Sequence, residues 1–466
     1  LALLSTYSYL CSVAMKSTGK KIDMLSGPLL PRMLLFALPL IASGVLQQSF
    51  NSVDVAVVGR FAGRHALAAV GCTGPVIGLL INLFVGISVG VNVVIANYIG
   101  QRNGQGVRKA VSATMVLSVI CGVLMLLVGE SMARPVLELT GTPAEVLDDA
   151  VRYMRVFVLG LPFMIVYNFG SAILRSVGDT RRPFYSLVAA GIVNVGLNLV
   201  FVIGMGMGVE GVAWGTVISN AVNACIIVAI LAHEKGDIRI NPRLRRSDME
   251  PAQMKKICAI GIPAGLQGAV FALSNTFILS AINSFGADAA AGSATAINYE
   301  FYCYFPLSAV AQTAVAFISQ NYGAGNYDRV RRVFRLALTL AFGISLVLNT
   351  LVVWQSNFFL SIFTTESVVL AFADIRVRTV LAFQFIASYY EVAGSAMRGL
   401  GYSMTPTLII IFGTCVLRLL WVFLFPHFNG GFAELLAVYP ASWILTDIGM
   451  FIAFRRVARK AMPAIA

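Results

Sequence analysis

Charge is what this sequence has least of. Only 12% of its 466 residues are charged, against about a quarter in an ordinary soluble domain. Histidine is nearly missing: His65, His233 and His427 fall at loops or helix ends without carboxylates at ligand spacing, so no metal site is expected. The seven cysteines, Cys11, Cys72, Cys121, Cys225, Cys258, Cys303 and Cys415, are scattered, odd in number and never in C-x-x-C spacing. They read as small apolar residues, which removes redox chemistry. No G-x-x-x-x-G-K-[ST] occurs, so the chain does not power itself by hydrolysing ATP. Gly206, Gly208 and Gly211 make a formal G-x-G-x-x-G, but no βαβ unit surrounds them and a tight membrane hairpin is expected. No loop is long enough to fold alone, and no His/Asp/Ser cluster lies in the apolar stretches, so the chain reads as neither an enzyme nor a cofactor protein. Filter loops of the kind channels use are not visible either.

What is present is apolar sequence, 58% of the residues. Twelve runs, each of about twenty or more mostly apolar residues and so able to cross a roughly 30 Å hydrocarbon core, begin near residues 34, 67, 108, 149, 183 and 209, then 254, 289, 328, 369, 405 and 433. The second six repeat the first. Under a shift of 223 residues Gly63 falls on Gly286, Asn103 on Asn326, Arg108 on Arg331, Arg155 on Arg378, Arg175 on Arg398, Gly178 on Gly401, Pro183 on Pro406 and Gly208 on Gly431. A shift of 224 adds Pro39 and Pro263. The expected fold is an all-α membrane protein, twelve transmembrane helices in two six-helix lobes related by a pseudo-twofold axis along the membrane normal. Such duplication is the mark of secondary transporters. The domains expected are an N-terminal segment (1–32), a first lobe (33–232), a linker (233–253), a second lobe (254–456) and a tail (457–466).

Lysine and arginine orient the chain. With the N-terminus inside, inner loops and tails hold 26 of them and the outer side 7, namely Arg60, Arg64, Arg134, Arg152, Arg155, Arg376 and Arg378. That excess places both termini in the cytoplasm of a multi-pass protein of the cytoplasmic membrane. Anionic inner-leaflet lipid accounts for the net charge of +13, so the bilayer is the expected partner and nucleic acid is not. The first fifteen residues lack the basic start and cleavage site of a signal peptide. Met15, followed by Lys16, Lys20 and Lys21, reads as a start.

Ionisable groups inside spans are costly and therefore informative. Asp54 lies toward the outer end of the first helix. Asn194 and Asn198 stack on one face of the fifth, and Thr216 follows in the sixth. One carboxylate with amide and hydroxyl oxygens could bind a sodium ion, or Asp54 could take a proton alone; the asparagines could equally be interhelical glue. The second half carries Glu300, Glu391, Arg418 and Asp447 within its spans. Arg418 requires a partner, with Glu300 and Glu391 the candidates, which would leave net negative charge for a cationic solute or a second proton site. Structural pairing alone is the competing reading. Phe271, Tyr299, Phe301, Tyr302, Tyr304, Tyr389 and Tyr390 could stack on a flat cation or simply face lipid and core.

The run Leu46-Gln47-Gln48-Ser49-Phe50-Asn51-Ser52-Val53-Asp54, continuing to Arg60, resembles the first helix of the multidrug and toxin extrusion (MATE) family. So do Leu174-Arg175-Ser176-Val177-Gly178-Asp179-Thr180 with Pro183, the echo Met397-Arg398-Gly399-Leu400-Gly401 with Pro406, and the loop Gln320-Asn321-Tyr322-Gly323-Ala324-Gly325-Asn326. The likeness runs from about residue 28 to about 456. It implies a monomeric twelve-helix antiporter that exports organic cations in exchange for protons or sodium ions by alternating access, with Asp54, Asn194 and Thr216 matching the family's first-lobe cation site. The chain departs from the family where Asn198 replaces a frequent aspartate, and where Phe271 and Ala387 stand at acids of some members. A lipid-linked saccharide flippase of the wider superfamily is the alternative.

Overall fold

Buried in hydrocarbon, a backbone must satisfy its own N–H and C=O groups, and the helix is the single-segment solution. The computed structural model describes residues 21–241, 250–427 and 430–462; Met15, Cys11 and their neighbours lie outside them. The first lobe comprises α1 (Leu29–Val57, prolonged by a π turn over Val58–Ala62), α2 (Gly63–Gly100), α3 (Gly104–Leu139), α4 (Ala144–Ser176), α5 (Arg181–Asn198, prolonged by a π turn over Leu199–Gly204) and α6 (Gly208–Ala232). The second comprises α7 (Pro251–Asn283), α8 (Ala287–Gly323), α9 (Tyr327–Trp354), α10, α11 (Met404–Ile410, a π turn over Ile411–Val416, then Leu417–Leu424) and α12 (Phe432–Leu436 and Val438–Ala461).

Eleven of these spans are continuous and apolar enough to cross a membrane. The tenth, α10, is broken into Ser367–Thr379, a 3-10 stretch over Leu381–Ala387, and Ser388–Gly399. Breaking a helix at membrane depth frees backbone groups, and a side chain of a neighbouring span takes one up: the Tyr390 N–H donates to Asp447 Oδ1 at 2.9 Å. The 3-10 stretch is also tied to α8, where Gln384 Nε2 donates to the Glu300 carbonyl at 3.1 Å. Leu38, Leu124, Leu127, Phe412 and Phe423 are among the large apolar side chains left on the exterior, as a lipid-facing surface requires.

The duplicated template is visible in its turns. α4 and α10 each end on a glycine in the left-handed region, Gly178 at φ 88° and Gly401 at φ 91°, where a side chain would be strained. Gly206 and Gly208 likewise turn α5 into α6 with positive φ, which bears out the hairpin reading. One expectation is corrected. Arg376, read as an outer-loop charge, is buried within the first part of α10, because a carboxylate on α8 waits for it there.

The two lobes meet along α2 and α7. Gly86 lies against Gly265, Gly90 against Gly261 and the Ile257 carbonyl, and Gly100 and Gly323 against the backbones of Gln320 and Asn97, so closely that a Cβ at any of them would collide. Small residues let membrane helices approach backbone to backbone. All of these contacts lie toward the end where the linker and the N-terminal segment sit, here termed the basic end. Outward of Asn82 and Gly268 the seam stops: Gly63, Gly71, Gly74 and Gly78 of α2 have nothing within 4 Å. The pseudo-equivalent seam, α1 with α8, carries Ala37, Ile41, Ala309 and Thr313 where its counterpart has glycine. It meets through larger groups, Gly44 on the Phe305 ring and Phe36 edge-on to Phe317 at 5.7 Å.

At the basic end residues 21–27 touch both lobes. Ile22 N donates to the Gly178 carbonyl at 3.1 Å, and Lys21 Nζ pairs with Glu234 at 2.7 Å. On the other side Asn321 Nδ2 and Arg329 Nε donate to the Met24 carbonyl at 3.0 and 3.1 Å. Burial works to raise the Glu234 carboxyl, but Lys21 and Arg182 hold it below its ordinary range.

Candidate functional site

Packing of α1 on α5 builds the first site. Gly191 of α5 leaves room for the Phe50 ring, which a Cβ there would strike. One turn beyond Phe50 comes Asp54, and two turns beyond Gly191 comes Asn198. They meet: Asn198 Nδ2 donates to Asp54 Oδ1 at 2.5 Å and lies 3.4 Å from Asn194 Oδ1. Asn198 is fully buried and Asn194 nearly so. The Asn198 Oδ1 has no hydrogen-bond partner in the structure, and it occupies the space a side chain at Gly215 of α6 would need. Both helices run into π turns just past these residues, at Val58 and Leu199; π turns recur at functional sites.

Thr216 does not join the set. Its hydroxyl donates to the Val212 carbonyl of its own helix at 3.0 Å, a bond helical threonines make readily, and α6 contributes the bare backbone of Gly215 instead. A residue that sequence reasoning missed is Tyr153 of α4, buried in one cluster with Val57 and Val58 and within electrostatic range of Asp54. The one signal for it is the repeat itself, since Tyr153 falls on Arg376 under the shift of 223. No carboxylate, histidine or cysteine group able to hold a metal by three ligands exists among the described residues. What the arrangement offers is one carboxylate, one amide donor and an amide oxygen left free. That suits binding of a proton or a small monovalent cation.

The second lobe differs from expectation. Glu300 of α8 pairs with Arg376, not Arg418, through Nε–Oε1 at 2.6 Å and Nη2–Oε2 at 3.0 Å, a bidentate fit. Glu391 accepts the Tyr304 hydroxyl at 2.9 Å, and Asp447 is spent on the break in α10. Arg418, although buried, has no acid within ion-pair distance among the described residues. Its Nε donates to Ser442 at 3.1 Å and its Nη1 to Asn275 at 3.2 Å, while the guanidinium lies 4.3 Å from the centre of the Tyr439 ring. The same ring faces Arg376 at 5.3 Å. A third guanidinium, Arg398, donates to Gln267 at 2.5 Å. Three carboxylates thus stand with three arginines, and the surplus negative charge expected there is absent. The reason is geometric: Glu300 faces α10, where Arg376 is nearer than any group on α11.

The aromatic candidates divide. Tyr299 is buried, gives its hydroxyl to the Phe359 carbonyl at 2.5 Å and packs edge-on to Phe359 and Phe363 at 5.6 Å; it serves the lobe's own packing. Tyr389 is half-buried against Phe451 at 6.1 Å. Phe271 lies beside Arg418, 5.4 Å from ring centre to guanidinium.

Comparison with known proteins agrees with this architecture. The sequence model of the MatE family matches twice, over residues 39–200 and 263–424, one copy in each lobe. The chain is similar to the "Probable multidrug resistance protein YoeA" of Bacillus subtilis (strain 168), 28% identical over 422 residues covering 89% of this chain and 91% of that protein. It is also similar to the "Probable multidrug resistance protein NorM" of Thermotoga maritima, at 25% over 390 residues and 82% of each. Among solved structures, an outward-facing conformation of a multidrug resistance MATE family transporter of the MOP superfamily superposes with TM-score 0.87 at 23% identity, over 95% of this chain and 99% of that one. A MATE in complex with MaL6 superposes with TM-score 0.88, also at 23%, over 95% and 99%.

Proposed function

Because this chain belongs to the MatE family, we propose that it is a secondary antiporter, exporting organic cations and drugs across the cytoplasmic membrane in exchange for protons or sodium ions. The relatives named as multidrug resistance proteins support the substrate class. The observation that carries the coupling is Asp54, held by Asn198 and in no ion pair among the described residues, in lobes whose close glycine seam lies toward the basic end. The excess of lysine and arginine at that end supports placing it in the cytoplasm, and on that placement we read the arrangement as a state open to the outside.

From these positions the cycle follows. Ionised Asp54 accepts the Asn198 amide. A proton on the carboxyl, or a sodium ion shared between it and the Asn194 and Asn198 oxygens, cancels the charge and loosens that bond. α1 is then free to shift against α5. Since α1 also touches the second lobe at Phe36 and Gly44, its movement reaches the interface where a drug sits and lowers its hold. The α2/α7 seam then parts and the opposite end closes. Exchange requires the ion and the drug to weaken each other's binding reciprocally, and each drives the change only through its different affinity for the two states.

Proteoliposomes loaded with ethidium, given a pH gradient or a sodium gradient separately, test this. The native chain should move ethidium under one of the two gradients, and Asp54→Asn should fall to the rate of protein-free vesicles while melting like the native protein. Undiminished gradient-driven movement in the variant would overturn the assignment of Asp54.

A further inference from the structure

At the basic end of the second lobe an apolar groove of about 680 Å³ opens between α9 and α12, with α8 and α10 as its floor. Val330 and Phe334 line one wall, Phe454 and Ala458 the other, and Ala396 and Leu400 the base. Arg331, Arg335 and Arg459 stand on its rim. Arg331 is partly engaged by Asp328 at 3.3 Å; Arg335 and Arg459 are exposed and make no ion pair among the described residues.

The duplication shows what such a groove takes. Under the shift of 223, Val330 becomes Val107, Phe334 becomes Val111, Ala396 becomes Ile173 and Phe454 becomes Leu231. In the first lobe those four residues belong to one buried cluster completed by Ile238 and Ile240 of the linker. The same stretch of linker sets Asp237 on Arg108, the counterpart of Arg331, at 2.5 Å. The linker is therefore an anionic head followed by an apolar body, lying head on arginine and body in groove. Among the described residues no such segment fills the groove of the second lobe, whose rim carries Arg331, Arg335 and Arg459.

We propose that this groove binds an anionic phospholipid of the adjoining leaflet, one acyl chain lying on Ala396 and Leu400 and the phosphate held by Arg335 and Arg459. Its depth suits a membrane ligand, because Arg459 lies in the last turn of α12 and Arg335 about two turns into α9, near the level where anionic headgroups attract basic side chains.

Native mass spectrometry of the full chain in detergent, titrated with phosphatidylglycerol or with phosphatidylcholine of the same acyl chains, is the test. The native protein should retain one phosphatidylglycerol in about tenfold preference or more, as two cations beside an anionic headgroup provide. Arg335→Gln with Arg459→Gln should bring the preference close to unity, and Ala458→Trp should expel the lipid by filling the groove. Lys235→Gln, beside the linker of the first lobe, should leave it unchanged. Equal retention of both lipids, a preference untouched by the arginine pair, or displacement by glycerol phosphate at equal concentration would overturn the proposal. So would a several-fold rise in retention on deleting residues 463–466, which would make the chain's own tail the occupant.

Discussion

Asp54 and Glu300 are both carboxylates inside a lobe, yet one is held by an amide and the other by a guanidinium. The positions equivalent to the first-lobe site are apolar in the second: Ile278 for Asp54, Leu417 for Asn194 and Trp421 for Asn198. Conversely Glu300, Arg376 and Arg418 fall on Ile77, Tyr153 and Val195. The backbone template was kept while the charges were rewritten. A lobe with one uncompensated acid changes its net charge when it takes up an ion. Glu300, fixed in a bidentate pair with Arg376, is electrostatically set, and the second lobe works around that pair as the rigid counterpart.

The largest test of this contrast is stability. Glu300→Gln leaves Arg376 buried without its counter-charge and should cost about 3–5 kcal/mol, read as a lowered melting temperature in detergent. Asp54→Asn strands no cation and should stay within about 1 kcal/mol by the same measurement. If the two variants melted together, the division into a responsive and a set lobe would be lost. Next comes the seam. Gly265→Ala places a methyl group against the Leu83 backbone, which has no side chain to turn aside, and should destabilise the closed basic end by about 2 kcal/mol. Faster maleimide labelling of Cys258 on α7 would report it. Ala309→Gly in the opposite seam, already joined through larger side chains, should alter labelling little. Smallest is Gly215→Ala, which presses on the free oxygen of Asn198. It should cost about 1 kcal/mol and shift the ion concentration for half-maximal ethidium movement without changing its maximum. A changed maximum with an unmoved half-point would separate Gly215 from the ion site.

Part of this was legible in residues alone. Twelve apolar runs, the repeat and the hairpin at Gly206–Gly208 all follow from local composition and periodicity, and Asp54, Asn194 and Asn198 stand out as polar residues within spans; that Asn198 meets Asp54 is a contact 144 residues apart. The bond of Thr216 to its own helix was not legible, although a hydroxyl on a helix has a carbonyl of that helix always at hand. Arg376 was misplaced because it stands close to Asp374 and Arg378, which suggests a loop, whereas its partner lies 76 residues away on another helix. The break in α10 left no proline or glycine as a marker; it shows in the Asp447 side chain of α12 answering the Tyr390 N–H.

By itself the sequence determined the fold class, the duplication and the topology, because the cost of exposing backbone or charge to hydrocarbon is paid residue by residue and can be read in order. Only the tertiary structure decided which acid meets which base, where the lobes seal, and which of two equivalent grooves stays open. Those outcomes depend on distances between helices far apart in the chain, and a difference of a few ångströms is enough to give a carboxylate an arginine or leave it with an amide.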